Sequence, residues 1–120
     1  MIRRLPFGRY RSMDRICRGS SARFVAPFPG SVQGLRFECN VRDRIVREVF
    51  FTGVYEPPET RLIRKLVSPG GTFVDVGANW GSFSLLLAEH VGTSGPGIAI
   101  EVDSRIQATL GRNLAKSNLP

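Results

Sequence analysis

The feature that most constrains the fold is a glycine-containing turn that joins a short apolar run to a long apolar segment. Residues 72–76 are rich in β-branched and aromatic side chains and predict a buried strand, and residues 80–91 have the length and apolar content of a helix. Residues 98–102 predict a second strand, and residues 104–116 predict a second, amphipathic helix with Ser104 as its N-cap. Two successive strand–helix units predict a parallel sheet, and therefore an α/β fold.

Both predicted strands are continuously apolar rather than alternating. Strands of this kind are buried on both faces of a parallel sheet, which requires helices on each side and several further strands. The 120 residues contain only two strand–helix units of such a sheet. We therefore expect a Rossmann-like α/β domain truncated after its second β-α unit, with the sheet completed by another chain or by a further C-terminal segment.

A short strand-and-helix region is predicted before these two units. Residues 35–42 alternate apolar and polar side chains, which is the period of a strand with one buried face. Residues 45–51 fit either a short helix or a second strand, and Gly53 is expected to end this element. Residues 56–67 begin with prolines and carboxylates and continue with an apolar stripe, which predicts a helix.

Basic residues are concentrated at the N-terminus. The chain has 17 lysines and arginines against 10 acidic residues, and residues 1–24 hold seven of those arginines with one aspartate. Residues 1–31 lack periodicity and end in sequence rich in proline and glycine, so we expect a basic, flexible arm there and the N-terminal part of a larger domain over residues 32–120. Since that domain is nearly neutral, its charge does not favour nucleic acid as a partner.

Cys17 and Cys39 are the only cysteines, and His90 is the only histidine. This set lacks the spacing of a zinc site or of a disulfide framework, so we expect no metal and a reducing, cytoplasmic setting. We expect Cys17 to be exposed, Cys39 to be half-buried and His90 to interact with the last carbonyls of its own helix. No apolar stretch approaches the roughly 20 residues that span a bilayer, so no membrane association is expected.

The turn after the first predicted strand has the chemistry of a cofactor site. Its pattern is D-x-G-x-N-x-G, formed by Asp75, Gly77, Asn79 and Gly81, with a helix N-terminus directly after it. A dinucleotide site has G-x-G-x-x-G instead, and Asp75 would repel a pyrophosphate but suits a ligand that carries an ammonium and a sulfonium. Glu101, at the end of the next strand, can accept both hydroxyls of a ribose. The pattern favours S-adenosylmethionine over NAD.

The same residues resemble a known enzyme family. Residues 53–57, the pair Glu59 and Thr60, and residues 69–84 are similar to the opening of FkbM-type S-adenosylmethionine-dependent methyltransferases. The resemblance covers roughly residues 35–118 and implies a class I methyltransferase fold. It also implies a cofactor loop of Asp75, Gly77, Asn79 and Gly81, with Glu101 on the ribose and with Tyr55 and Glu56 approaching the cofactor from the other side.

The resemblance further implies methyl transfer to an oxygen, on a hydroxyl-bearing small molecule or saccharide. The strands that complete the adenine pocket and bind the acceptor in that family are absent from this chain, so we assign no catalytic residue and expect an incomplete unit with weak or absent activity. Val102 stands where the family commonly has proline. Trp80 either shields the sheet edge or contacts a nucleoside.

Two other functions are compatible with the sequence. A non-enzymatic protein could bind nucleic acid or another acidic partner through its basic arm, with the α/β unit as a scaffold. An NAD-binding Rossmann protein is the second alternative, which the loop spacing disfavours.

Overall fold

The computed structural model describes residues 9–117, in which five helices and four strands form a mixed α/β arrangement. In chain order the elements are α1 (Arg9–Cys17), β1 (Arg23–Pro27), β2 (Arg36–Asn40), α2 (Arg44–Thr52), α3 (Pro57–Leu66), β3 (Phe73–Val76), α4 (Ser82–Val91), β4 (Gly97–Ile100) and α5 (Ser104–Lys116). The predicted order of strand, turn, helix, strand and helix is confirmed from β3 to α5.

The strands β3 and β4 form a parallel pair, as the two β-α units predict. Val74 lies beside Ile98, and Val76 lies beside Ile100. The helix α4 packs against both strands, on the face that carries the half-buried Asp75. This topology brings the carboxyl ends of the two strands together at one edge of the pair, which is where open α/β sheets bind ligands.

The opposite face of this pair is not covered by any described residue. Val74, Val76, Ile98 and Ile100 all lie on it, and between 45% and 77% of each residue's surface is accessible. The sequence predicts burial of both faces. In the described part of the chain, helices cover one face only.

The expectation of a flexible arm over residues 1–31 is revised for the residues that the structure describes. The helix α1 buries Met13 and Cys17, one helical turn apart, and so Cys17 is buried rather than exposed. The strand β1 pairs antiparallel with β2, so the boundary expected at residue 31 falls inside a hairpin. Pro27 ends β1, which is an edge strand and therefore tolerates a residue without an N–H. Residues 1–8 lie outside the described residues.

Residues 45–51, which fit a helix or a strand, form the helix α2. Asp43 caps its N-terminus, since its carboxylate accepts from the N–H groups of Ile45 and Val46. Gly53 ends the helix in the left-handed conformation, as expected, and donates its N–H to the carbonyl of Val49.

Two local expectations near α4 and α5 are wrong. The N-cap of α5 is Asp103, not Ser104, because the carboxylate of Asp103 accepts from the N–H of Arg105. The Nε2 atom of His90 lies 2.6 Å from the carbonyl oxygen of Val67, so this ring contacts the end of α3 rather than the carbonyls of its own helix.

The core lies between the hairpin, α2, α4 and the turn that precedes α4. Phe37 of β2 stacks on Trp80 of that turn, with ring centroids 5.0 Å apart. The buried cluster around this pair comprises Cys17, Ala26, Phe28, Leu35, Cys39, Val41, Val46, Val49, Leu85 and Leu86. Cys39 is thus fully buried rather than half-buried. The N-terminal hairpin is therefore packed against the loop that the sequence marks as a cofactor site.

Candidate cofactor site at the carboxyl edge of the parallel strands

The turn between β3 and α4 folds over the end of β4. The N–H groups of Gly77 and Ala78 both donate to the carbonyl oxygen of Ile100, at 2.8 and 2.9 Å. Gly77 and Asn79 have positive φ angles of 80° and 52°, which only glycine, and to a lesser degree asparagine, adopt without strain. The residue types that the sequence singles out are thus those that this tight turn requires.

Glu101 is fixed at the end of β4 by backbone donors. One carboxylate oxygen, Oε1, accepts from the N–H groups of Val102 and Asp103, and Oε2 accepts from the N–H of Asn79 at 2.9 Å. These bonds, that from Asp103 foremost, lower the pKa of Glu101 below its ordinary value. A carboxylate has about four acceptor positions, so Oε2 can accept a further donor. The structure brings Asn79 and Glu101, two residues of the predicted site, into direct contact.

The two glycines of the turn have different surroundings. A Cβ atom added at Gly77 would meet nothing within 4 Å, whereas one added at Gly81 would lie 2.9 Å from Cδ1 of Leu110. Gly77 therefore leaves open space in front of the backbone, into which a ligand can approach. Gly81 leaves room for the side chain of Leu110 of α5, so a glycine is needed here for packing as well as for the turn.

Asp75 lies on the side of β3 that faces α4. Its Oδ2 accepts a hydrogen bond of 2.6 Å from the hydroxyl of Ser84, a residue that is 1% exposed. This bond ties the strand to the first turn of α4. Asp75 therefore lies next to the N-terminus of α4, where the sequence places it, and one of its carboxylate oxygens already accepts the hydrogen bond from Ser84.

Tyr55 and Glu56 lie on the opposite side of the turn, before α3. The ring of Tyr55 packs against Phe83 with centroids 5.9 Å apart, and Glu56 begins α3 with a positive φ of 43°. Burial, and then the neighbouring Glu56, raise the pKa of Tyr55. Tyr55 lines a cavity of about 200 Å³ together with Ser82, the residue that follows Gly81. This cavity is lined by neither Asn79 nor Glu101, so the structure places Tyr55 beside the predicted site but does not join it to the ribose side.

A larger groove opens on the other side of the turn, between the hairpin and α5. It has a volume of about 770 Å³, within the range of small-molecule sites. Asn79 and Asp103 line its wall at the turn, and Arg23, Phe24 and Arg112 line its other sides. Arg105 and Arg112, two of its three arginines, form ion pairs with carboxylates in the same groove, those of Asp103 and Glu38.

Asn113 supports this site and is not among the residues that the sequence points to. Its Oδ1 accepts from the N–H of Glu38 in β2, and its Nδ2 donates to the carbonyl of Trp80, both at 2.7 Å. The side chain is fully buried. A signal was present in the sequence, since Asn113 falls three residues after Leu110 on the apolar stripe of α5, where a polar side chain needs a buried partner.

Trp80 is buried and faces the hairpin through Phe37. Its indole Nε1 is buried and has no hydrogen-bond partner among residues 9–117. Other atoms of Trp80 line the groove. Of the two alternatives for Trp80, the observed packing favours a shielding role.

Several other kinds of site are not found in the described residues. Burial raises the pKa of Cys39 to about 11, so this thiol stays protonated near neutral pH and is a poor nucleophile. Within residues 9–117 no group of three or more potential ligands is placed to hold a metal ion. No helix in that range has both the length and the apolar character needed to cross a bilayer.

Comparison with solved structures finds a likeness to a methylase. No family model and no curated protein matches the chain. Among solved structures, a protein assigned as an rRNA methylase from Clostridium thermocellum superposes with a TM-score of 0.50 and 25% identity, over 52% of this chain and 34% of that protein. The chain therefore spans about a third of the length of the protein it matches. This likeness supports a methyltransferase-like α/β fold.

Proposed function

We propose that the chain is the cofactor-binding part of an S-adenosylmethionine-dependent methyltransferase. The observation that carries the proposal is the contact between Asn79 and Glu101, which holds an ionised carboxylate at the carboxyl end of β4 beside the open backbone of Gly77. The likeness to a methylase is a second, independent support. The finer assignment to the FkbM type depends on the sequence resemblance of residues 53–57 and 69–84.

The residues at this edge fit the cofactor chemically. Glu101 would accept ribose hydroxyls through the free acceptor positions of its carboxylate, and Asn79 holds that carboxylate in place. Gly77 leaves room for the cofactor beside the positive end of α4. Asp75 and Gly81 frame the turn, and Tyr55 and Glu56 would close it from the side of α3. S-adenosylmethionine supplies a methyl group that its sulfonium already activates.

The chain's own part in the reaction is to bind and orient. Methyl transfer to an oxygen is an in-line displacement, so positioning of the two reactants and exclusion of water contribute most of what a protein can add. The resemblance implies a hydroxyl acceptor on a small molecule or a saccharide. No described residue carries a role as the general base for that hydroxyl.

A ligand-binding experiment tests the cofactor assignment against the NAD alternative. Saturation-transfer NMR detects weak complexes, and we expect a signal from S-adenosylhomocysteine that excess NAD does not reduce. Preferential binding of NAD, or the absence of any signal from S-adenosylhomocysteine, would contradict the proposal. Under the non-enzymatic alternative, nucleic acid binds while neither nucleoside cofactor does.

A further inference from the structure

The N-terminal module, by which we mean residues 9–43 with α1, β1 and β2, exposes a group of arginines that form no ion pair with a described acidic residue. We define the arginine surface as Arg11, Arg15, Arg18, Arg23 and Arg42, all of them exposed. None of the five forms an ion pair with an acidic residue of the described chain. The first three follow one another at intervals of four and three residues, which places them on one face of α1 and its continuation. The last two lie near each other at the hairpin end, where the register pairs β1 with β2.

The acidic residues of the same module are engaged elsewhere. Asp14 pairs with Arg47 of α2, and Glu38 pairs with two cations of α5. Asp43 caps α2 through its carboxylate. These three carboxylates therefore do not neutralise the arginine surface. The net charge of the chain alone does not show this local excess of positive charge. Such a surface attracts a polyanion.

The structure distinguishes between two kinds of polyanionic partner. A helix that binds a lipid surface inserts its apolar face among the acyl chains. Met13 and Cys17 of α1 are buried in the protein, and the exposed Ile16 lies beside Arg15 and does not form an apolar face for insertion. A phosphate backbone requires only the exposed guanidinium groups, which form paired hydrogen bonds with phosphate oxygens. The arginine surface therefore fits a nucleic acid better than a membrane.

One member of the arginine surface, Arg23, also lines the groove that reaches the cofactor loop. Arg23 and Phe24 line this groove on the hairpin side, and Asn79 lines it at the cofactor loop. The ring of Phe24 is 41% exposed and rests edge-on against Phe50, with centroids 5.2 Å apart. An exposed aromatic ring next to basic residues is a stacking platform for an unpaired base. The groove itself has as many carboxylates as guanidinium groups in its lining, so it suits a nucleoside better than a row of phosphates.

We propose that single-stranded RNA binds across the arginine surface, with its phosphates on the arginines and one nucleoside in the groove beside Asn79. A ribose hydroxyl of that nucleoside is then the methyl acceptor. The proposed function gives the acceptor as a hydroxyl of a small molecule or saccharide, and this inference specifies a sugar hydroxyl of an RNA strand. This choice of RNA over DNA rests on the proposed function, because only RNA carries the 2′-hydroxyl. The hydroxyl oxygen bonds to the methyl carbon as the carbon–sulfur bond breaks with its electron pair on sulfur, and the hydroxyl proton leaves to water.

The test begins with binding, which does not depend on any cofactor. The affinity of the full chain for a labelled, unstructured RNA strand is measured by fluorescence anisotropy over a range of salt concentrations. The triple variant Arg11→Gln, Arg15→Gln and Arg18→Gln removes three charges from the arginine surface. Its matched control, Arg61→Gln, Arg64→Gln and Lys65→Gln, removes three exposed charges from α3.

We expect the first triple variant to lose about tenfold or more in affinity, and the slope of log affinity against log salt to fall by about 2, since each single-strand phosphate contact contributes about 0.7. The control should bind nearly as the wild type does. Equal losses in both variants would overturn the proposal, because they would show attraction to net charge alone. Tighter binding to anionic vesicles than to RNA would overturn it as well.

Transfer of a labelled methyl group then separates this inference from the proposed function. We expect label in RNA and none in a DNA strand of the same sequence, although DNA should bind through the same phosphates. Label in DNA as well as in RNA would overturn the assignment of the acceptor to the 2′-hydroxyl. Selective RNA binding by a chain that binds no S-adenosylhomocysteine would instead refute the proposed function and leave the RNA surface standing.

Discussion

The backbone N–H of Asn79 donates to Oε2 of Glu101 across 2.9 Å, and this bond joins the turn after β3 to the end of β4. The two residues are 22 positions apart in the chain. Asn79 lies in the left-handed region, with a φ of 52°. The side chain of Asn79 also accepts from the N–H of Trp80 at 2.8 Å, which fixes the turn from its other end. A ligand at this edge therefore meets a carboxylate that is already oriented.

Replacement of Glu101 by glutamine should weaken cofactor binding more than it weakens the fold. The amide keeps the shape of the side chain but loses the charge that strengthens bonds to ribose hydroxyls, so we expect affinity for S-adenosylhomocysteine to fall by about tenfold. Ligand titration followed by NMR measures this. Glu59→Gln, on the exposed surface of α3, is the control and should leave the affinity unchanged. An unchanged affinity in Glu101→Gln would remove this residue from the site.

Alanine at Gly81 should destabilise the fold more than alanine at Gly77. Both positions have positive φ, which costs a residue with a Cβ about 1 to 2 kcal/mol. Only at position 81 does the added carbon also collide with Leu110, so we expect a further loss of about 1 kcal/mol or more. Urea unfolding measures both. The double change Gly81→Ala with Leu110→Ala should show a favourable coupling energy, and strict additivity would show that the predicted contact is not made.

Removal of the Asn113 side chain should loosen the hairpin from the cofactor turn. Asn113→Ala leaves a part-buried N–H of Glu38 and a buried carbonyl of Trp80 without partners, so we expect a loss of about 2 to 4 kcal/mol in the free energy of unfolding. Asn40→Ala, which removes one exposed bond to a backbone N–H, should cost about 0.5 kcal/mol or less. Comparable losses in the two variants would argue against a bridging role.

The stability of the protein should depend on pH through Glu38. The guanidinium of Arg112, followed by Lys116, lowers the pKa of this carboxyl from 4.5 to about 2. Because the pKa is lower in the folded state, the stabilisation is fully present above about pH 4.5 and is lost as the pH falls toward 2. The pKa of Asp103, held at about 2 by Arg105, adds a loss in the same range. Urea midpoints between neutral and acid pH should therefore fall less steeply in Glu38→Gln than in the wild type, and parallel curves would contradict the assignment.

The uncovered face of β3 and β4 should bind an apolar dye. Val76 and Ile98 are 77% and 57% exposed on this face, and contiguous exposed apolar groups are the surface that such dyes recognise. The pair Val76→Thr and Ile98→Thr keeps the β-branched shape and should reduce dye fluorescence with little change in unfolding free energy. Undiminished fluorescence would place the dye elsewhere. Thr93→Val, which adds an apolar group in the exposed turn between α4 and β4, is a control for general hydrophobicity.

Local patterns in the sequence determined a large part of the described fold. The glycines around residues 75–81 and the apolar runs beside them predicted the strand, turn and helix, because positive φ angles and the period of burial are properties of short segments. The placement of the turn and Glu101 at one edge followed from the rule that parallel strands end at the same edge, whereas the hydrogen bond between Asn79 and Glu101 was not predicted. The likeness to a methylase fold agrees with that interpretation.

Only the tertiary structure decided the roles that depend on distant partners. The N-terminal residues looked irregular because α1 and β1 are short and mixed in composition, and they are held in place by burial of Met13 and by pairing with β2. Asn113 became a bridge through two groups that are 33 and 75 residues away. Composition gave the number of arginines, but the ion pairs of the folded chain decided which arginines have no acidic partner among the described residues. Such contacts are set by packing in three dimensions, and no local pattern of residues specifies them.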